Sequence, residues 1–139
     1  MVLALHTPPI RKYDCNGSVE QFGSAIQRMA LSDSGINLKI SRRDSSRADD
    51  SGRDMVIKIK RDTINVLYDL VCDEETGQTE IKLVGAHNYN NTVGGYRTED
   101  TGVKEFLNYF ENDFLDKLNK QQGITLNPDK SFLGNFSLY

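Results

Sequence analysis

Apolar residues recur along this chain with two different periods. Val19, Phe22, Ile26 and Met29 follow three- and four-residue steps, which put them on one face of a helix. Ser18 stands just before this run and Gln21 three residues later, the spacing of a capping box. Ser32-Asp33-Ser34-Gly35 then stops the helix. From residue 36 the period drops to two. Ile36, Leu38 and Ile40 alternate with Asn37, Lys39 and Ser41. Met55, Ile57 and Ile59 alternate with Val56, Lys58 and Lys60, and Ile64, Val66, Tyr68, Leu70 and Cys72 with Asn65, Leu67, Asp69 and Val71. Ile81 and Leu83 alternate with Glu80, Lys82 and Val84. Such alternation describes strands with one face buried and the other wet.

The period returns to helical at Val103, Phe106, Leu107, Phe110, Phe114 and Leu118. Asp100 or Thr101 is placed to cap its start, and Gly123 to end it. Burying each large side chain of that stripe contributes about 1.5–3 kcal/mol. The i,i+4 pairs Asp113–Lys117 and Asp116–Lys120 add only about 0.2–0.5 kcal/mol each.

None of the links between the four strands holds a crossover helix, so neighbours run antiparallel. Asp62-Thr63 and Asp73-Glu74-Glu75-Thr76-Gly77 read as hairpin turns. The pattern predicts an α+β fold: a four-stranded antiparallel meander sheet with two helices packed on one face, in the order α-β-β-β-β-α. Residues 1–17, with Pro8-Pro9 and Asn16-Gly17, read as an N-terminal arm. Residues 18–139 read as a single domain. Its C-terminal tail, Phe132-Leu133-Gly134-Asn135-Phe136-Ser137-Leu138-Tyr139, is apolar enough to dock on the core or form an extra strand.

The 139 residues suffice for one core, and 37% hydrophobic with 27% charged residues is the balance of a folded, non-membrane chain. Charge is uneven behind the net −3. Residues 1–61 carry 11 basic and 7 acidic groups, whereas residues 62–139 carry 6 and 13. Two cysteines, Cys15 and Cys72, make neither a disulfide framework nor a zinc site. No apolar run approaches the length of a membrane span, and Met1-Val2-Leu3-Ala4-Leu5 is too short for a signal-peptide core. A cytoplasmic location without membrane association is the expectation.

Candidate chemistry concentrates in the long segment 85–102. His87 has the titration range of a general base, Tyr96 lies close by in sequence, and Arg97 is suited to holding a phosphate. Gly94-Gly95 leaves backbone amides open to an anion near a helix start. An enzyme of this kind would cleave a phosphoester in a nuclease-like way, with His87, Tyr96 and Arg97 as its catalytic set. Yet the segment is neither a Walker loop nor a dinucleotide fingerprint. With only His6 and His87 as histidines, no metal site and no cofactor are expected. The linker 41–54 is polar, and Arg42-Arg43-Asp44-Ser45 offers Ser45 to a kinase that reads upstream arginines.

The outward sheet face is the stronger candidate. Lys39, Lys58, Lys60 and Lys82 share it with Val56, Leu67, Val71 and Val84. A mixed apolar and cationic surface suits a protein partner or a homodimer. Four lysines also suit RNA, but the strands place no aromatic residue on that face for bases to stack upon. The sequence therefore predicts a small interaction protein of the accessory, adaptor, inhibitor or immunity type, binding through Lys39, Val56, Lys58, Lys60, Leu67 and Lys82 and through the arm. Phosphoester cleavage and RNA binding are its alternatives.

Overall fold

The computed structural model describes residues 8–42 and 52–129, with Arg42 described by its backbone alone. Ser45, His6 and the run 132–139 lie outside the described residues. The elements are β1 (Arg11–Cys15), α1 (Val19–Ser32), β2 (Ile36–Arg42), β3 (Arg53–Lys60), β4 (Asn65–Glu75), β5 (Gln78–Asn88), β6 (Gly94–Gly95), α2 (Val103–Tyr109), a π-helical turn (Phe110–Phe114), α3 (Leu115–Gln122) and β7 (Leu126–Pro128). The fold is α+β, with an open antiparallel sheet and two helical segments, the second formed by α2, the π turn and α3 in continuous succession.

The sheet has seven strands where the alternation pattern suggested four. Its order is β2-β3-β4-β5-β1-β7, and β6 pairs with β5 beyond that path. The described part of the segment read as an arm supplies β1, an interior strand. It escapes the pattern because its core-facing side carries Arg11 beside Tyr13 and Cys15. Arg11 is half-buried and bonds to Glu111. The three residues of β7 are too few to show a period, and Pro128 sits there on the sheet's outer edge, where its missing N–H costs nothing.

Helix α1 begins as predicted. The Ser18 hydroxyl accepts from the Gln21 amide and the Gln21 side chain accepts from the Ser18 amide. A further acceptor comes from the sheet: Glu74 Oε1 takes the Val19 amide at 3.0 Å. Val19, Phe22, Ile26 and Met29 are all buried. The second segment starts at Gly102 in a left-handed conformation, with no side-chain cap, and ends at Gly123, also left-handed. Asp100 is occupied elsewhere, as the site below describes.

The π turn has a packing logic. Phe110, Phe114 and Leu118 are four residues apart, and on a regular helix each such step drifts by about 40°. Wider i→i+5 bonding absorbs the drift. Phe110 and Phe114 consequently stack at 5.6 Å, and Phe110 meets the Tyr68 ring at 4.8 Å and the Tyr13 ring at 6.0 Å. Tyr68 donates to the Phe106 carbonyl at 2.6 Å. Both phenols are buried away from water, which pushes their ionisation upward.

Helix α1 lies against the same sheet face, where Gly23 allows Ile40 and Met55 to approach. Ile57, Ile59, Val66, Leu70, Cys72, Ile81 and Leu83 complete this core. Burial fades along edge strand β2, from Ile36 at 4% exposed to Ile40 at 38%. Among the described residues no helix is long and apolar enough to cross a membrane.

Candidate functional site

Both helical segments occupy one side of the sheet, and no helix covers the opposite side among the described residues. Register places its side chains in rows. Asn37, Lys58, Leu67 and His87 lie side by side across β2, β3, β4 and β5, and Lys39, Val56, Asp69 and Gly85 form the next row. Lys60 pairs with Asn65 at the end of the face, and Val71 with Lys82 toward its middle. All six residues assigned to binding from the sequence therefore share this surface. Lys39, Lys58 and Lys60 are exposed, Val56 and Leu67 half-buried, and Lys82 is half-buried beside Glu80 at 3.5 Å.

A bulge decides what β5 contributes. Leu83 pairs with Leu70 and Gly85 with Asp69, so Val84 is an extra residue in the strand. Strict alternation from Ile81 and Leu83 would send His87 into the core and Ala86 outward. The bulge inverts the order: Ala86 is fully buried and His87 reaches the open face. Gly85, a glycine inside a strand pattern, is the one residue of β5 that marks this step.

His87 meets Asp69 there, a residue that sequence reading did not single out. Its Nε2 lies 3.1 Å from Asp69 Oδ2, and its Nδ1 lies 3.1 Å from the Asn88 carbonyl oxygen. Both ring nitrogens thus face oxygens of the protein itself, and the side chain is only 12% exposed. The Tyr96 ring stands 5.8 Å from the imidazole and covers Gly85, with 47% of the residue exposed. An aromatic residue does lie on this face, contrary to the reading from the strands; the loop delivers it. Its place depends on glycine, since a Cβ at position 85 would sit 2.7 Å from the ring and 2.6 Å from Asp69 Oδ2.

The return of the loop rests on β6. Gly94 and Gly95 pair with His87 and Ala86. Gly94 has φ +94°, and a side chain there would collide with the Ala86 carbonyl. The amides after Gly95 are directed at an anion, as the sequence suggested, but the anion is internal. Asp100 Oδ2 accepts from both the Tyr96 and the Arg97 amides at 3.1 Å. Asn88 binds the other side of the loop, with Oδ1 accepting from Thr92 and Val93. Of the three residues expected to form a catalytic set, the structure brings His87 and Tyr96 together and leaves Arg97 exposed. Among the described residues no group of His, Cys, Asp and Glu is arranged to hold a metal ion.

Compared with protein-family models, curated proteins and solved structures, the chain matches none.

Proposed function

We propose that the protein is a non-enzymatic interaction module whose open sheet face receives a protein surface. The observation that carries this reading is a sheet with both helical segments on one side and, on the other, the half-buried Val56, Leu67 and Val71 on a face that also carries the exposed Lys39, Lys58 and Lys60. An apolar strip rimmed by charge is the composition of a binding surface. A photo-crosslinking amino acid at Val71 tests it, with one at Leu31 on α1, 88% exposed, as control. The expected result is protein adducts from position 71 and none from position 31 in cell extract. Adducts from neither position, or equally from both, overturn the reading.

Phosphoester cleavage has less to draw on. A general base needs a ring nitrogen turned to the substrate, whereas those of His87 face Asp69 and Asn88. The amides that would hold a phosphate are taken by Asp100.

A second reading, binding of single-stranded RNA, gains from one observation: Tyr96 stands half-exposed over the face that also carries Lys39, Lys58 and Lys60. It expects affinity for an RNA oligonucleotide that falls steeply with salt and drops in Tyr96→Ala. Undetectable binding at low salt removes it.

A further inference from the structure

The sheet has two outer strands, and they are protected unequally. β7 is three residues long and carries Pro128, and both features discourage a further strand. β2, at the other end of the order, is seven residues long, contains no proline and pairs with β3 without a bulge. The Lys60 amide donates to the Gly35 carbonyl at 2.8 Å, so the odd-numbered positions turn their backbone groups toward β3. The even-numbered positions turn theirs outward. The Ile36 amide is satisfied locally, by the Asp33 carbonyl at 3.1 Å. Leu38 and Ile40 remain, each with an outward N–H and C=O that no described residue takes up. Their side chains lie on the helix side and are incompletely covered: Leu38 is half-buried and Ile40 is 38% exposed. A groove of about 300 Å³ runs between Ile40 and α1, walled by Gly23, Ser24, Gln27 and Met55.

Such an edge is completed by strand addition, in which main-chain bonds supply affinity and alternate side chains supply selectivity. Register sets that selectivity. On the helix side an added strand meets Leu38 and Ile40 and needs apolar residues. On the open side it meets Asn37, Lys39 and Ser41. Lys39 is exposed, lies diagonally from the exposed Lys58, and has no ion-pair partner among the described residues. The acidic groups nearby belong to inner strands: Asp54 stands opposite Ser41 on β3, and Asp69 on β4 is turned to His87. Opposed unlike charges stabilise a strand pair and like charges weaken it. An edge lysine therefore refuses a second copy. Two β2 strands centred on Lys39 oppose that residue to itself, and neighbouring registers still gather Lys39, Lys58 and Lys60 of both copies along one seam. We propose that β2 takes up an extended segment of a different protein, apolar opposite Leu38 and Ile40 and acidic opposite Lys39. This stands on the β2 edge and not on the reading of the open face.

Fluorescence anisotropy with a labelled peptide of alternating valine and glutamate tests the edge, together with amide NMR of the full chain. The expected result is binding at micromolar concentration, with shifts and slowed hydrogen exchange at the Leu38 and Ile40 amides. Lysine in place of glutamate should weaken binding roughly tenfold, and Lys39→Glu should reverse that preference. Methylating the backbone nitrogens of either the valines or the glutamates blocks one edge of the peptide and leaves the protein untouched. One of these two peptides should lose binding and the other keep it. No binding at millimolar peptide overturns the proposal. So does equal binding of the glutamate and lysine peptides, or methylated peptides that both bind or both fail. Shifts confined to β4 and β5 would place the peptide on the open face and overturn it as well. Protection of Leu38 and Ile40 in the chain alone, rising with its concentration, would assign the edge to a second copy and also overturns it. Crosslinking from Val71, two strands inward, reads the open face separately.

Discussion

His87 and Asp69 touch diagonally: Nε2 lies 3.1 Å from Oδ2, although His87 pairs in register with Leu67 and Asp69 with Gly85. The contact crosses the one position in that row without a side chain. Gly85 leaves a gap, and Asp69 and the Tyr96 ring fill it.

Gly85→Ala is therefore expected to evict one of them. An alanine suits an extended strand, so the penalty comes from the crowded Cβ and should reach about 1–3 kcal/mol. Tyr96 is the exposed member and the one to move. Urea unfolding measures the loss, and NMR shifts of the Tyr96 ring should approach those of a solvated tyrosine. An unmoved ring with unchanged stability would show that the contact can relax.

Gly94→Ala should behave differently. Its φ of +94° is strained for any side chain, at about 1–3 kcal/mol. The new atom would also face the Ala86 carbonyl and the His87 Cα, which are backbone and cannot turn aside. Loosening of the loop around β6 is expected, visible as fast hydrogen exchange at the Asn88 amide, which donates to the Val93 carbonyl, and at the Gly94 amide, which donates to the Thr101 carbonyl. Gly77→Asn is the control. It too has positive φ, but nothing lies within 4 Å of its missing Cβ, and asparagine tolerates left-handed backbone. A change of only a few tenths of a kcal/mol is expected there.

Much of this architecture was legible because period and burial coincide. The helical stripe at 19–29, the capping box at Ser18 and Gln21, and the inward sets of β3 and β4 follow directly from spacing. What was hidden has a common cause: the core-facing or loop-facing residue does not look the part. β1 turns an arginine inward because Glu111 awaits it on the helix. Position 84 inserts a valine that reads like any strand residue, yet it reverses the sides of Ala86 and His87. The six lysine-face residues fall on one surface, as alternation expects, because their strands carry no bulge before residue 83. Asp69 was missed because its partner reaches it only through that bulge. Tyr96 was missed as a face residue because two glycines, rather than any apolar pattern, fold its loop back.

The link between Asp33 and Arg61 gives stability a pH dependence. Arg61 contacts both carboxylate oxygens, at 3.1 and 2.8 Å, and ties the β3–β4 turn to the end of α1. Burial works against ionisation of Asp33, but the Gly35 amide and the Arg61 guanidinium outweigh it and hold the carboxyl below its ordinary value of 3.8. A lowered carboxyl stabilises the fold above that ordinary value and loses the effect as pH falls through the lowered one. The pair is partly exposed, so its worth is about 0.2–1 kcal/mol. Asp33→Asn should therefore lower stability at neutral pH and match the wild type at strongly acidic pH. A gap that persists in acid would assign the loss to something other than the charge.

A part-buried polar network joins β1 to the π turn. Glu111 Oε2 accepts from the Tyr13 hydroxyl at 2.7 Å and from Arg11 Nη1 at 3.0 Å, while Arg11 Nε is buried without a partner among the described residues. Tyr13→Phe removes one donor and leaves Glu111 with its cation, at about 0.5–1.5 kcal/mol. Glu111→Leu is expected to cost more, about 1.5–3 kcal/mol, because it strands a buried hydroxyl and a half-buried guanidinium together. Once Glu111 is gone, removing the Tyr13 hydroxyl relieves part of that debt. The double variant should then lose at least about 0.5 kcal/mol less than the sum of the two single losses. Urea denaturation of the four proteins in this cycle measures the coupling, and strict additivity would show that Tyr13 and Glu111 stabilise the β1–helix junction independently.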